Sequence, residues 1–274
     1  MITYTQLGRH GNTGNSMFQF AALVGASKAT KFKFGVPRHA SYYEVNYSCN
    51  NRSIFDGFEI NCPSITEKDK PKFIHEYKEP HFHFNSDIEQ IKDWTDLSGF
   101  YQTEKYFKHC KEEVFNYFTF KQPIRDNINK KIKQGVYPDP KLCTSIHIRR
   151  GDFVQKQQFH PLQDLQYYKS ACKLTNTKKY VFFSDDIEWC KKTFGEHDRL
   201  AYSAETDPFE AMYHMSLCSN HIISNSSFGW WGAWLGEMAF SDKERIIVAP
   251  TKWFGPAYAT YDTTDVVPHR WLKI

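Results

Sequence analysis

The chain has 274 residues, of which 41% are hydrophobic and 24% are charged, a balance typical of a globular protein rather than of a disordered chain. Its 35 basic and 31 acidic side chains give a formal net charge of +4, and because they are interspersed we expect no nucleic-acid partner. The length suits two α/β domains or one large one.

Neither a membrane span nor an export signal is expected. The longest weakly charged stretch, residues 228–240, is shorter than the ~20 apolar residues that cross a bilayer. Residues 1–7 lack both the basic start with an apolar run and the small-residue cleavage site of a secretory signal. We therefore predict a cytoplasmic protein.

The first half opens with a predicted strand over residues 2–7, a glycine-rich turn and an apolar helix from residue 17. Asn15 or Ser16 is the expected N-cap of this helix, since a side-chain oxygen there would accept a free backbone N–H. The turn matches neither the dinucleotide fingerprint nor a P-loop. The aromatic-rich residues 36–100 indicate only short strands, at 73–77 and 82–84.

A break in composition near residue 139 predicts two domains, residues 1–138 and 139–274. Pro138 and Pro140 interrupt a charged helical stretch just before a β-rich run. The second half then alternates strands (143–149, 180–183, 221–224, 245–249) with helices (164–174, 186–194, 209–218, 230–240). Because parallel neighbours need crossover connections, this alternation predicts a parallel sheet and the α/β class.

Polar clusters follow three of these strands, at the edge where open parallel sheets bind ligands. His147 lies in the first strand, Arg149 ends it, and Arg150 follows with a glycine turn and Asp152. Two guanidinium forks suit phosphate oxygens, so we interpret this cluster as a phosphate clamp. The alternative is a surface ion pair between Arg150 and Asp152.

The other two clusters begin helices. Ser226 and Ser227 precede an apolar helix, where free N–H groups stabilise an anion, and plain N-capping is the alternative. For Asp185 and Asp186 we expect one helix cap and one contact to a ribose or base, although paired carboxylates also hold Mg²⁺. Glu210 has the acceptor chemistry that guanine N–H groups require.

No metal site is expected. The seven cysteines form no CxxC pair, and the twelve histidines include no HExxH pattern or plausible zinc grouping. We interpret most of the cysteines as buried thiols.

Four motifs stand out along the chain, namely GNSMFQFA (14–21), HIRRGD (147–152), FSDDIEWC (183–190) and SNSSFGWWGAWL (224–235). Together, and in this order, they resemble the motifs of the inverting, GDP-fucose-dependent α-1,2-fucosyltransferases, glycosyltransferase family 11. The resemblance implies a GT-B-like fold of two Rossmann-like domains with parallel sheets that face each other across a cleft. It further implies that the second domain binds GDP-fucose, that the first serves mainly the acceptor, and that fucose passes to the 2-hydroxyl of a galactose or related sugar.

The same resemblance implies roles for individual residues. The diphosphate contacts Arg149 first and Arg150 second, the serine-rich turn binds the β-phosphate, and Glu210 reads guanine. The expected donor-binding residues are Asn15, His147, Arg149, Arg150, Asp185, Glu210, Ser226, Ser227 and Phe228. Such enzymes are generally metal-independent, so no cofactor is expected beyond the donor substrate.

This chain departs from the family's compact turn Gly-Gly-x-Gly-Asn-Gln. The longer run from Gly8 to Ser16 leaves either Asn12 or Asn15 as the site asparagine, and we prefer Asn15 because the Met-Phe-Gln after it is intact. Ser16 then stands where the family has glutamine.

Arg149 is the expected catalytic stabiliser of the leaving group, and Asp152 and His160 are the two candidate bases. An imidazole titrates near neutral pH, whereas a carboxylate close to two arginines is held acidic. Two other functions stay open at this stage. One is a nucleotide-dependent oxidoreductase of Rossmann type, and the other is a non-catalytic carbohydrate-binding module that uses some of the 46 aromatic residues as stacking platforms.

Overall fold

A computed structural model describes residues 1–9, 11–37, 53–240 and 244–274. These residues form two compact units. The first comprises Met1–Thr119 with Tyr261–Pro268, and the second comprises Phe120–Thr260 with His269–Ile274. Cys49 lies outside the described residues, and the six cysteines within them are all free thiols.

The first unit contains, in its described residues, a parallel sheet of order β3-β2-β1-β5-β4. Its strands are β1 (Ile2–Thr3), β2 (Phe34–Pro37), β3 (Ser64–Ile65), β4 (His75–Lys78) and β5 (Thr95–Ser98). Its helices are α1 (Thr13–Thr30), α2 (Ile54–Gly57) and α3 (Lys111–Tyr117).

Helix α1 begins earlier than the sequence predicts. Its N-cap is Asn12, whose backbone oxygen accepts from the N–H groups of Asn15 (2.9 Å) and Ser16 (3.1 Å). The predicted cap at Asn15 or Ser16 is therefore wrong, because both residues already lie in the first turn. The predicted strand 2–7 ends at Thr3, since the backbone turns where Leu7 N–H donates to the Tyr4 carbonyl. The predicted strand at 82–84 is wrong, since residues 82 and 83 form bends and residue 84 has no regular structure.

The second unit contains, among its described residues, a parallel sheet of order β11-β10-β9-β6-β7-β8. Its strands are β6 (Cys143–Ile148), β7 (Lys179–Ser184), β8 (Leu200–Tyr202), β9 (Asn220–Ile222), β10 (Ile247–Ala249) and β11 (Leu272–Lys273). Its helices are α4 (Gln122–Lys133), α5 (Leu165–Thr175), α6 (Ile187–Phe194), α7 (Pro208–Leu217) and α8 (Ser227–Ala239). The predicted alternation of strands and helices is confirmed, and this strand order is the doubly wound one of Rossmann folds.

The division between the units precedes α4, whereas the prolines at 138 and 140 lie inside the second unit. Helix α4 packs on α7, where Asn127 Nδ2 donates to Glu210 Oε1 (2.7 Å) and Asn129 Nδ2 donates to the Tyr213 hydroxyl (3.3 Å). These contacts, together with Lys131, attach α4 to the unit that follows it. The proline break marks a loop rather than the division of the chain.

Helix α8 is rich in apolar residues. Trp230, Trp231 and Trp234 are fully buried, and Trp271 packs against Trp230 with ring centres 5.3 Å apart. The apolar helix that the sequence predicts after Ser227 is therefore largely buried. Within the described residues, no helix combines the length and apolar character that crossing a bilayer requires.

Candidate functional site

The loops after β6 and β9 meet where the strand order of the second sheet reverses. The backbone N–H of Ser224 donates to the carbonyl of His147 (3.1 Å), and a hydrogen bond joins His147 Nδ1 to Ser224 Oγ (2.9 Å). Strand β6 lies in the middle of the sheet. Strands β7 and β8 follow on one side of it, and β9, β10 and β11 lie on the other side. Such a switch point is where open α/β sheets bind ligands.

Both predicted arginines lie at this point and are held by carboxylates. Arg149 Nη2 donates to Asp152 Oδ1 (2.6 Å), and its Nη1 lies 2.9 Å from Asp185 Oδ2. Arg150 Nε donates to Asp186 Oδ2 (3.1 Å). The alternative of an Arg150–Asp152 pair is therefore wrong, because Asp152 pairs with Arg149. The two arginine side chains remain 23% and 19% exposed, which leaves each guanidinium within reach of a ligand.

Asp185 ties the loop after β6 to the end of β7. Its Oδ1 accepts from the backbone N–H of Arg150 (2.9 Å), while its Oδ2 faces Arg149. A Cβ on residue 151 would overlap Asp185 Oδ2, so Gly151 leaves the room that this carboxylate occupies. Asp186 Oδ1 accepts from Trp189 N–H (3.2 Å) and caps α6, which confirms that one of the two aspartates is a helix cap.

The first turn of α8 presents backbone N–H groups beside the loop that follows β6 (residues 149–156, the arginine loop). Ser226 occupies the N-cap position without a capping hydrogen bond from its side chain, so plain capping does not explain this serine. Asn225 is buried and fixed by two contacts, since its Nδ2 donates to the Trp253 carbonyl (2.9 Å) and its Oδ1 accepts from Gln163 Nε2 (3.0 Å). Ser226, Ser227 and Phe228 are partly exposed. The serines thus lie where an anion could meet the helix terminus.

His147 connects this first turn to the sheet and is not presented to solvent. It is 5% exposed, and burial together with the positive charge of Arg149 lowers its pKa to about 3. Its ring lies 5.6 Å from that of Phe228, and a Cβ on Gly229 would lie 2.6 Å from its Nδ1. The side chain is therefore neutral and packed between β6, β9 and α8.

The two candidate bases lie in the loop after β6. Partial burial disfavours the charge of Asp152, but Arg149 and Lys156 outweigh it and lower the pKa of this carboxyl. His160 stacks on Phe153, with ring centres 4.6 Å apart and ring planes 13° from parallel. Burial lowers the pKa of His160, and the part of the chain that the structure describes provides no hydrogen bond to its ring nitrogens.

Glu210 lies on α7, in a network with α4 rather than beside the arginines. Its Oε1 accepts from Asn127, and Lys131 Nζ lies 3.8 Å from its Oε2. Burial and the neighbouring Glu205 carboxyl raise the pKa of Glu210. Glu205 in turn accepts from Lys131 Nζ and from the Tyr137 hydroxyl, both at 2.6 Å. These partners compete with any base for the oxygens of Glu210.

Asn15 belongs to the first unit, in the first turn of α1. Its Oδ1 accepts from Gln102 Nε2 (2.8 Å), which fixes the orientation of the amide. A Cβ on residue 11 would overlap this amide, and Gly11 also has a φ of +81°, so two features favour glycine there.

Two contacts of the arginine loop were not expected from the sequence. Lys156 Nζ donates to Asp152 Oδ2 (3.1 Å), and the Arg150 guanidinium lies 3.9 Å from the centre of the Trp189 ring. The spacing of Lys156, four residues after Asp152, is the signal that could have found the first contact. Trp189 follows the cap residue Asp186 by three positions, which places it in the first turn of α6.

In the described ranges, no group of three or more histidine, cysteine, aspartate or glutamate side chains is arranged to hold a metal ion. The carboxylates near the site are instead paired with arginines.

A solved structure shows the same fold. The crystal structure of NodZ alpha-1,6-fucosyltransferase soaked with GDP-fucose superposes with a TM-score of 0.55 over 85% of this chain and 91% of that chain, at 12% sequence identity. NodZ comes from Bradyrhizobium. The chain thus has the expected α/β, GT-B-like fold with two parallel sheets of the Rossmann type.

Sequence comparisons place the chain in a family. An alpha-1,2-colitosyltransferase of Escherichia coli is 35% identical over 198 residues, which cover 67% of this chain and 64% of that protein. The O-antigen biosynthesis glycosyltransferase WbnK of Escherichia coli is 30% identical over 89% of this chain and 93% of its own. The human galactoside alpha-(1,2)-fucosyltransferase 1 is 23% identical over 82% of this chain and 64% of its own. The model of glycosyl transferase family 11 matches residues 12–272, and the chain belongs to this family.

Proposed function

We propose that this protein transfers L-fucose from GDP-fucose to the 2-hydroxyl of a galactose or related sugar, with inversion and without a metal ion. The observation that carries the proposal is the pair Arg149 and Arg150 at the switch point of the second sheet, beside the N-terminus of α8. The proposal also draws on the names of the human relative and of the NodZ structure. Family membership disfavours the oxidoreductase and binding-module alternatives.

The proposed reaction forms a bond between the acceptor oxygen and the anomeric carbon while the bond from that carbon to the GDP oxygen breaks. Negative charge gathers on the diphosphate as it leaves. Donors that are already oriented therefore stabilise the transition state more than the ground state. We assign this role to Arg149, with Arg150, Ser226 and Ser227 as further diphosphate contacts. Asn15 and Glu210 stay proposed donor contacts.

The acceptor hydroxyl also loses a proton, and we assign its removal to His160 rather than to Asp152. Asp152 is paired with two cations, which makes its carboxylate a weak base. Burial keeps His160 neutral at neutral pH, so its imidazole can accept a proton. Stacking on Phe153 fixes the plane of the ring.

The pH dependence of the rate tests this assignment. The rate is expected to fall as the pH drops through the His160 pKa, which lies below the ordinary 6.5, because protonation removes the base. His160→Ala should abolish this acidic limb, and His197→Ala, at an exposed histidine, should keep it. The measurement is kcat against pH for the three proteins. An unchanged limb in His160→Ala would exclude His160 as the base.

A second donor is favoured by the relative that is 35% identical, whose name specifies colitosyl transfer. Colitose lacks the 3-hydroxyl of fucose, so the two donors differ by one polar group. A site that hydrogen-bonds this hydroxyl rejects the deoxy sugar strongly, whereas an apolar site discriminates weakly. The ratio of kcat/KM for GDP-fucose and GDP-colitose therefore reports which kind of site the chain has.

The experiment that tests the proposed function has two parts. Thermal-shift measurements with GDP, UDP and NAD should show stabilisation selective for GDP. Incubation with GDP-fucose and a panel of β-galactosides, with and without a chelator, should then give a product heavier by one fucose in both cases. Stabilisation by NAD, or no response to any nucleotide, would overturn the proposal.

A further inference from the structure

The arginine loop and the two aspartates that follow β7 together carry as many negative charges as positive ones. Three cations contact three carboxylates there, namely Arg149, Arg150 and Lys156 with Asp152, Asp185 and Asp186. A diphosphate that enters this cluster meets compensated charge rather than a net positive field. The affinity for the diphosphate therefore depends on whether one of these carboxylates dissociates from its arginine.

The two carboxylates that hold Arg149 are attached in different ways. Asp185 is 26% exposed, contacts Arg149 Nη1, accepts from the backbone of Arg150 and fits into the space that Gly151 leaves. Asp152 is 42% exposed and contacts Arg149 Nη2 from three residues away in the same turn. Asp185 is thus fixed by a backbone hydrogen bond as well as by Arg149. The contacts that hold Asp152 are ion pairs with the side chains of Arg149 and Lys156, and it is the more exposed of the two carboxylates.

We propose that Asp152 is a counter-anion that occupies the place of a donor phosphate oxygen on Arg149 Nη2 and is displaced when the nucleotide binds. This inference rests on the proposed function. Lys156 Nζ already donates to the second oxygen of Asp152 at 3.1 Å, so the displaced carboxylate keeps a cationic partner. Arg149 exchanges one anion for another, and Asp185 keeps the guanidinium oriented during the exchange.

The exchange gives Asp152 a role in specificity and in product release. A ligand must offer Arg149 Nη2 a stronger anion than a carboxylate, and a diphosphate does so because its oxygens carry more negative charge. After transfer, the return of Asp152 to Arg149 competes with the bound GDP. The wild-type residue therefore weakens nucleotide affinity, which is the opposite of what an orienting residue does.

The test is the affinity for GDP, measured by calorimetry at fixed pH and salt. Asp152→Asn removes the charge and keeps the size of the side chain, and Asp152→Ala removes the contact. Both are expected to bind GDP about two- to fivefold more tightly than the wild type, as follows from the strength of a solvated ion pair. Asp198→Asn is the matched control, since it removes one negative charge from an 86% exposed side chain of the same unit.

Each outcome decides the inference. Unchanged affinity in both Asp152 variants would overturn it and leave the proposed function standing. Weaker binding would overturn it as well and would make Asp152 an orienting partner of Arg149. Equal tightening in Asp198→Asn would reduce the effect to net charge and overturn it too. A wild-type protein that does not bind GDP would overturn both the inference and the proposed function.

Discussion

Replacement of Arg149 by alanine is expected to lower kcat by ~10²–10³-fold, the usual cost of removing one oriented donor from a developing charge. Arg149 has Asp185 on one terminal nitrogen and Asp152 on the other, so Asp185 orients the guanidinium while a diphosphate oxygen can take the place of Asp152. Its guanidinium also lies 5.3 Å from the centre of the Phe153 ring, which limits its motion. The loss should fall mainly on kcat, because the charge on the diphosphate grows in the transition state.

Two further variants make the measurement specific. Arg149→Lys keeps the charge and loses the planar fork, so its rate should lie between those of the wild type and the alanine variant. Arg199→Ala removes an exposed arginine that binds the carbonyls of Thr177 and Lys178, and its turnover should match the wild type. The readout is fucosyl transfer under saturating GDP-fucose, with melting temperatures to confirm folding. Near-normal turnover in Arg149→Ala would remove this residue from the mechanism.

The place of the site in the second sheet could be predicted from the sequence. Alternating strands and helices imply a parallel sheet, and the residues after each strand then share one edge. The loop of Arg149 and the turn of Ser226 are therefore predicted to lie together, and the structure joins them through His147 and Ser224.

The pairing of charges within the site could not be predicted in this way. Three aspartates are predicted to lie near the arginines, namely Asp152, Asp185 and Asp186. Which guanidinium nitrogen each carboxylate contacts depends on the three-dimensional positions of the side chains, which the sequence does not give. Glu210 is similar, because its partner Asn127 lies 83 residues away on a helix that the sequence assigned to the other domain.

The start of α1 was misplaced for a different reason. Asn12, Asn15 and Ser16 are all favourable N-cap residues, and the helix begins after the first of them although its side chain makes no capping bond. Burial of the first turn, including Thr13 and Gly14, determines the boundary instead of capping chemistry.

Gly229→Ala is expected to destabilise the protein by about 1–3 kcal/mol, the usual cost of overpacking a core position. In a helix without close neighbours, the same change would stabilise by up to about 1 kcal/mol, since alanine is the better helix former. The sign of the change in unfolding free energy therefore shows whether Gly229 is closely packed. The new Cβ would lie 2.6 Å from His147 Nδ1 and 2.9 Å from its Cγ, and the ring is fixed by burial and by Ser224.

The displacement should also reach the candidate site, because Gly229 lies in the first turn of α8 and His147 precedes the arginine loop by two residues. We expect the variant to lose GDP-dependent thermal stabilisation along with its own stability in denaturant unfolding. His147→Ala in the same background removes the clashing ring, so the double variant should be less destabilised than the sum of the single changes. Additive losses of stability in the double variant, or a gain in stability from Gly229→Ala alone, would contradict the close packing of Gly229 in α8 against His147 in β6.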